Sequence, residues 1–209
     1  MTTSGSGHTP SQHAHDHDDP ARWQQPAFVQ EWVDRDDGRR DEREPMIKET
    51  IEAIPFEQGA SINVLDIGAG YGILSREVLE NFPNAHVTLQ DVSEPMFDHA
   101  RKRLESHSDR ASYVQSDFSQ RDWASKLGGP FHVAVSAIAI HNMYDDGLIA
   151  SVYKDIHDIL EENGVFVNLD YAAQAGGVES HVTWLKEAGF KNVEAVLVNA
   201  RVARLIASR

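Results

Sequence analysis

From Ser61 onward the chain alternates between two spacings of apolar residues. Short apolar runs of strand length fall at Ile62–Ile67, His86–Gln90, Ala111–Gln115, His132–Ala137 and Val165–Leu169. Between them lie segments with helical spacing: Gly72–Phe82, Glu94–Ser106, a short one near Asp122–Leu127, and Asp145–Glu162. The order β-α-β-α-β-α-β-α-β predicts an α/β fold, a parallel sheet with helices on both faces. Right-handed crossovers make that sheet doubly wound, with its ligand at the carboxyl ends of the strands. A helix over Val178–Ala188, stopped by Gly189, precedes two last runs, Val193–Val198 and Val202–Ala207. Only Asn199-Ala200-Arg201 separates them. That gap is too short for a helical crossover and predicts an antiparallel hairpin.

The pattern before Ser61 is different. Phe28, Val29, Trp32 and Val33 fall at helical spacing, and Met46, Ile47, Thr50, Ile51 and Ile54 form a second stripe that Pro55 ends. Two helices separated by Asp36-Asp37-Gly38, over residues 23–58, predict a helical cap packed on a main unit at 59–209. Residues 1–22 hold almost nothing apolar and are expected to be a disordered tail. His13, His15 and His17 alternate there beside aspartates, a weak, unselective metal tract rather than a framed site.

The totals narrow the function classes. The 209 residues suit one domain with an accessory segment. A formal net charge of -14 repels phosphate backbones, so nucleic acid is not an expected partner. The densest basic run, Arg101-Lys102-Arg103, reads as a solvated helix face. No apolar run approaches the ~20 residues of a bilayer span, so no membrane partner is expected. No cysteine is present, which excludes disulfides and thiolate chemistry. With no secretory signal at the start, the expected location is cytoplasmic.

The candidate chemistry gathers at the strand ends. Val64-Leu65-Asp66-Ile67-Gly68-Ala69-Gly70-Tyr71-Gly72 runs from an apolar strand into glycines at alternate positions and then a helix. Such a turn brings backbone close to a bulky charged ligand and points free N–H groups at it. The third glycine stands at Gly72, where a dinucleotide fingerprint would place it at Ile73, and no P-loop lysine is present. Asp91 ends the second strand, 21 positions past Gly70, where a carboxylate can accept both ribose hydroxyls; capping the next helix is its structural alternative. Asp117 follows the third strand, placed to accept from an exocyclic amine, and Phe118 can flank a planar ring. Asp66 lies inside an apolar strand and needs a partner, either the turn's N–H groups or a cationic ligand group.

Together with Gln90-Asp91-Val92-Ser93-Glu94-Pro95-Met96, Ser116-Asp117-Phe118 and Phe131–Ala137, this stretch resembles class I S-adenosylmethionine-dependent methyltransferases, and the cap resembles the leader of their small-molecule branch. The resemblance implies a Rossmann-like seven-stranded sheet with an antiparallel last hairpin, and S-adenosylmethionine as cofactor. It implies cofactor contacts from Asp66, Gly68, Ala69, Gly70, Asp91, Val92, Met96, Asp117, Phe118 and Ser136, with Gly72 closing the turn. The reaction is then in-line transfer of a methyl group to O, N, S or C of a small molecule. His141, after the fourth strand, is the candidate base, with a loop-holding histidine as the alternative. Relatives often carry His-His-Leu where this chain has His141-Asn142-Met143. Asn168, Asp170 and Tyr171 are expected to face the acceptor, with His141, Tyr144 and Trp23 as further substrate contacts. Two rival readings are a catalytically silent cofactor-binding module acting through a partner and a nicotinamide oxidoreductase. The glycine spacing and closing hairpin count against the second.

Overall fold

The structure is a computed structural model that describes residues 20–172 and 176–209. The His-rich tract lies outside them. Residues Pro20–Gln24 form a 3-10 turn, so described chain begins just before Trp23, where the cap was expected to start. Helix α1 spans Pro26–Asp37 and α2 spans Arg40–Glu52. Alternating elements follow: β1 (Asn63–Ile67), α3 (Ile73–Asn81), β2 (His86–Asp91), α4 (Glu94–Arg103), β3 (Ala111–Gln115), β4 (Phe131–Ala137), α5 (Asp146–Ile159) and β5 (Leu160–Asp170). The chain closes with α6 (Val178–Ala188), β6 (Lys191–Leu197) and β7 (Ala203–Ser208).

Seven strands make one sheet in the order β3-β2-β1-β4-β5-β7-β6. The first five are parallel, and β7 is antiparallel to both β5 and β6. Alternate residues of each strand feed opposite faces. Val64, Leu89, Val133 and Val135 pack against α2, α3 and α4, while Leu65, Ile67, Ala134 and Phe166 pack with the buried sides of α5 and α6. The strand order reverses between β1 and β4, which opens a crevice above their carboxyl ends.

Local chemistry accounts for the departures from the expected boundaries. The helix expected over Asp145–Glu162 ends at Ile159, and β5 begins five residues early. Leu160 is fully buried in the same cluster as Ile156, so apolar periodicity runs across the junction unbroken. Gly164 lies inside β5 where its register with β4 shifts, and a Cβ there would lie 2.9 Å from the Glu161 carbonyl oxygen. The element near Asp122–Leu127 is only a 3-10 turn, Ala124–Lys126, pinned by buried Trp123, which donates to Asp155 at 2.7 Å. Arg103 is not solvated: its guanidinium lies 4.5 Å over the Tyr71 ring and donates to the Tyr71 carbonyl at 3.1 Å.

The two N-terminal helices pack at different places. Val29 and Val33 of α1 meet Tyr71 and Met96, above the glycine turn. Ile47 and Ile51 of α2 join the main core with Val202 of the closing hairpin, and Arg204 holds Glu49 at 3.0 Å. The cap thus bridges the glycine turn and the closing hairpin.

Candidate active site

A cavity of about 840 Å³ occupies the crevice at the strand-order reversal. Its floor is the turn after β1. Gly68 (φ +63), Gly70 (φ +52) and Gly72 (φ +80) all take left-handed conformations that favour glycine. Their uses differ. A Cβ on Gly68 would lie 2.4 Å from the Ala139 Cβ, so this glycine lets the turn close on the loop after β4. A Cβ on Gly70 would meet nothing within 4 Å; here the turn faces open space. Gly72 does not line the cavity: it begins α3 and would press on Ala100 of α4 at 3.2 Å. The third glycine serves helix packing rather than ligand approach.

Two side chains from the end of β2 hold the turn's N–H groups. Buried Gln90 accepts from Gly68 N at 3.2 Å and donates to the Ser116 carbonyl at 2.6 Å, joining the floor to the end of β3. Asp91 accepts from Gly70 N at 2.8 Å and from Ser93 N at 2.9 Å. Burial raises the Asp91 pKa, against those same N–H groups, which favour its charged form. Asp66, by contrast, holds none of the turn's N–H groups. It lines the cavity at 1% exposure and accepts from the Ser75 hydroxyl at 2.6 Å. Burial lifts its pKa to about 7; Ser75 pulls it down and the charge of Asp91 adds to the rise. Asp117 and Phe118 line the same end, with Asp117 fixed by the Ser119 N–H at 2.8 Å.

The cap closes this end. Gln24 donates to the Val92 carbonyl at 2.7 Å and the Ser93 hydroxyl to the Trp23 carbonyl. Trp23, Trp32 and Tyr71 meet edge to face at centroid distances of 5.6 and 5.8 Å. Tyr71 donates to Asp36 at 2.7 Å, and Asp36 also holds Arg43 at 2.7 Å. Burial first, then Asp36, raise the Tyr71 pKa far above its usual value, so this phenol stays a donor.

The opposite end is built around His141. Its Nδ1 lies 2.6 Å from Asp170 Oδ1, and its backbone N–H donates to Asp170 Oδ2 at 3.0 Å. With Asp170 ionised, Nδ1 is the donor and Nε2 carries the lone pair. His141 lines the cavity, as do Asn142, Met143, Tyr144, Leu148 and Tyr171. Ile138, just after β4, also lines it at φ +54, a strained conformation for a β-branched residue.

Three expected contacts fall elsewhere. Ser136 is fully buried and donates to the Ile67 carbonyl at 2.9 Å; the strand's alternation gives the cavity Ala137 instead. Asp170 is fully buried behind His141 and does not line the cavity, its oxygens taken by His141 and the Tyr171 N–H. Asn168 does not line the cavity and points toward the Tyr153 hydroxyl at 3.5 Å. Gln90, Tyr71 and Asp36 were not anticipated as parts of the site. A polar residue closing an apolar strand and a tyrosine inside the glycine turn were the available signals.

Comparison with known proteins decides what the cavity belongs to. Residues 64–164, from β1 into β5, match the family described as "Methyltransferase domain". This segment is a class I S-adenosylmethionine-dependent methyltransferase domain. S-adenosylmethionine is the methyltransferase's cofactor. The release factor glutamine methyltransferase of Chlorobaculum tepidum is 33% identical over 90 residues, 42% of this chain and 31% of that protein. A malonyl-[acyl-carrier protein] O-methyltransferase of Halalkalibacterium halodurans is 39% identical over 57 residues, 27% of this chain and 21% of that protein. The matches thus span less than a third of either relative. Among solved structures, an O-methyltransferase family protein from Burkholderia thailandensis superposes with TM-score 0.73 at 16% identity, over 90% of this chain and 62% of that one. Human N-acetylserotonin methyltransferase in complex with SAM gives 0.69 at 13% identity, over 90% of this chain and 58% of that one. These likenesses establish the methyltransferase fold.

Proposed function

We propose that this methyltransferase acts on a hydroxyl of a small molecule, with His141 as the general base and Asp170 as the group that orients it. The 2.6 Å His141–Asp170 contact at the rim of the cavity carries this reading. Residues 23–58 serve as the cap of a catalytic unit at 59–209.

The residues present fit the cofactor. Asp66 is a buried carboxylate met by the hydroxyl and backbone N–H of Ser75 and by no cation among the described residues, an environment that a cationic amine would relieve. Asp91 keeps lone pairs beyond its two backbone donors for a ribose diol. Asp117 and Phe118 offer an acceptor and a ring face to adenine, with Gly68, Ala69, Gly70, Val92 and Met96 forming the walls. Bound S-adenosylmethionine supplies a methyl carbon already activated by positive sulfur. The protein's share is placement, which can supply ~7–11 kcal/mol of a barrier, and removal of one proton. In this reading Asp170 holds Nδ1–H, the His141 Nε2 lone pair takes the acceptor's proton, and the cap excludes water. Tyr144 flanks the acceptor, while Trp23, expected there too, stands at the cofactor end beside Ser93.

Single-turnover transfer to phenols of graded acidity tests this. His141→Ala should slow transfer to a weakly acidic phenol by ~10²-fold or more, the usual worth of a general base. The loss should shrink as the phenol becomes acidic enough to ionise unaided. A loss that is the same for every phenol would refute the base assignment.

A further inference from the structure

The cap wall of the cavity is basic in a strongly acidic chain. Arg35, Arg39 and Arg43 all line it, in a sequence with 33 acidic and 19 basic residues. Their charges are not equally engaged. Arg43 is 15% exposed and bound to Asp36, which also holds Tyr71, so its charge belongs to the cap's anchor. Arg39 touches Glu42 at 3.5 Å with both side chains more than half exposed (51% and 71%), and such pairs contribute little. Arg35 makes no ion pair with another described residue.

The position of Arg39 gives the imbalance a use. Burial works against its charge, but the neighbouring Tyr171 hydroxyl and Glu42 outweigh it and hold the guanidinium pKa above its usual value. Tyr171 stands edge-on to His141, ring centroids 5.1 Å apart. A weakly paired guanidinium therefore lies one aromatic ring from the His141 imidazole. Met46, Ile47 and Leu148 give the same cavity apolar lining. A guanidinium fork in such a cavity matches a carboxylate on an apolar body.

We propose that Arg39, with Arg35 on the same wall, is an anion subsite for the methyl acceptor, and that the acceptor is an apolar or aromatic hydroxy acid. The carboxylate sits on the guanidinium while the hydroxyl reaches His141. This rests on the reading of His141 only for which end the hydroxyl occupies. The cofactor's own carboxylate is the competing claimant for Arg39, so the test is made with S-adenosylhomocysteine saturating.

Calorimetry on the full chain compares 4-hydroxycinnamate with its uncharged amide. Wild type should bind the acid at least about tenfold more tightly, the low end of what a charged hydrogen-bonded pair gives. Arg39→Gln with Arg35→Gln should erase that preference while leaving amide affinity unchanged. Equal behaviour of acid and amide in wild type, whether both bind or neither does, overturns the proposal. So does a preference that survives the double substitution. An S-adenosylhomocysteine affinity that drops about tenfold in Arg39→Gln also overturns it, assigning that arginine to the cofactor. No methyl transfer is involved, so failure of His141 as base, read by turnover, is a separate result.

Discussion

The two ends of the cavity are built by different means. The cofactor end is made of backbone turns held from the adjacent strand end or from within the turn: Gly68 and Gly70 by Gln90 and Asp91 of β2, and Asp117 by Ser119. The proposed acceptor end is assembled from distant segments: Arg39 from the cap, His141 after β4, and Asp170 and Tyr171 from the end of β5. Where backbone geometry dictates the site, few residue types are allowed. Where side chains converge from far apart, each can vary while the fold stands.

The largest expected effect attacks the turn itself. Gly68→Ala combines a positive φ with a Cβ 2.4 Å from Ala139. Left-handed strain and overpacking together cost on the order of 3 kcal/mol. Thermal denaturation should show that loss, and calorimetry should show cofactor binding lost with it. A stable Gly68→Ala protein that binds normally would mean that the turn tolerates side chains, and the contrast between the two ends would collapse.

Next is Asp91→Ala, which removes the proposed ribose acceptor and leaves two backbone N–H groups without their partner. Bonds to charged groups are worth ~1.5–3 kcal/mol, so cofactor affinity should fall by about a hundredfold. Acceptor affinity, measured with S-adenosylhomocysteine saturating, should not move.

A pH dependence sharpens the same end. Asp66 has its folded pKa raised to about 7 by burial. A group raised in the folded state contributes stability that is complete below its unfolded value and lost as pH rises through 7. The cofactor-free protein should therefore lose stability from about pH 4 to pH 7. Cofactor affinity should run the other way, falling about tenfold per pH unit below 7 as Asp66 must shed a proton to meet a cationic amine. Asp66→Asn should flatten both curves. A flat affinity curve in wild type would remove Asp66 from contact with the ligand's cation.

The smallest effect concerns the cap's clasp. Gln24→Ala removes one exposed hydrogen bond to the Val92 carbonyl, worth ~0.5–1.5 kcal/mol. It should speed cofactor release a few-fold in stopped flow and leave acceptor preference alone. A change in acceptor preference would tie the two ends together.

This division also governs how much was legible in the sequence. The sheet and its closing hairpin followed from alternating apolar runs and from the three-residue gap before Val202. The early third glycine pointed away from a dinucleotide turn, although Gly72 itself proved to serve helix packing. Asp66, Asp91 and Asp117 were visible because each stands at a strand end, where chain direction alone aims it at the crevice. Strand parity was harder: Ser136 and Asn168 were assigned to the ligand side, and both face the interior. The partnership of His141 with Asp170, and of Tyr71 with Asp36, joins residues 29 and 35 positions apart across different elements. No local pattern announces such pairs. Arg103 illustrates the same limit, a helix-face charge by spacing and a clamp on Tyr71 by packing.

One crossed experiment tests the separation most directly. Asp91→Ala and His141→Ala are each measured for S-adenosylhomocysteine affinity and for single-turnover methyl transfer to a weakly acidic phenol at saturating cofactor. Asp91→Ala should lose affinity and retain most of the transfer rate, while His141→Ala should keep affinity and lose ~10²-fold in rate. If His141→Ala weakens cofactor binding as much as Asp91→Ala does, or transfers methyl at the wild-type rate, the two ends are not separate and His141 is not the base.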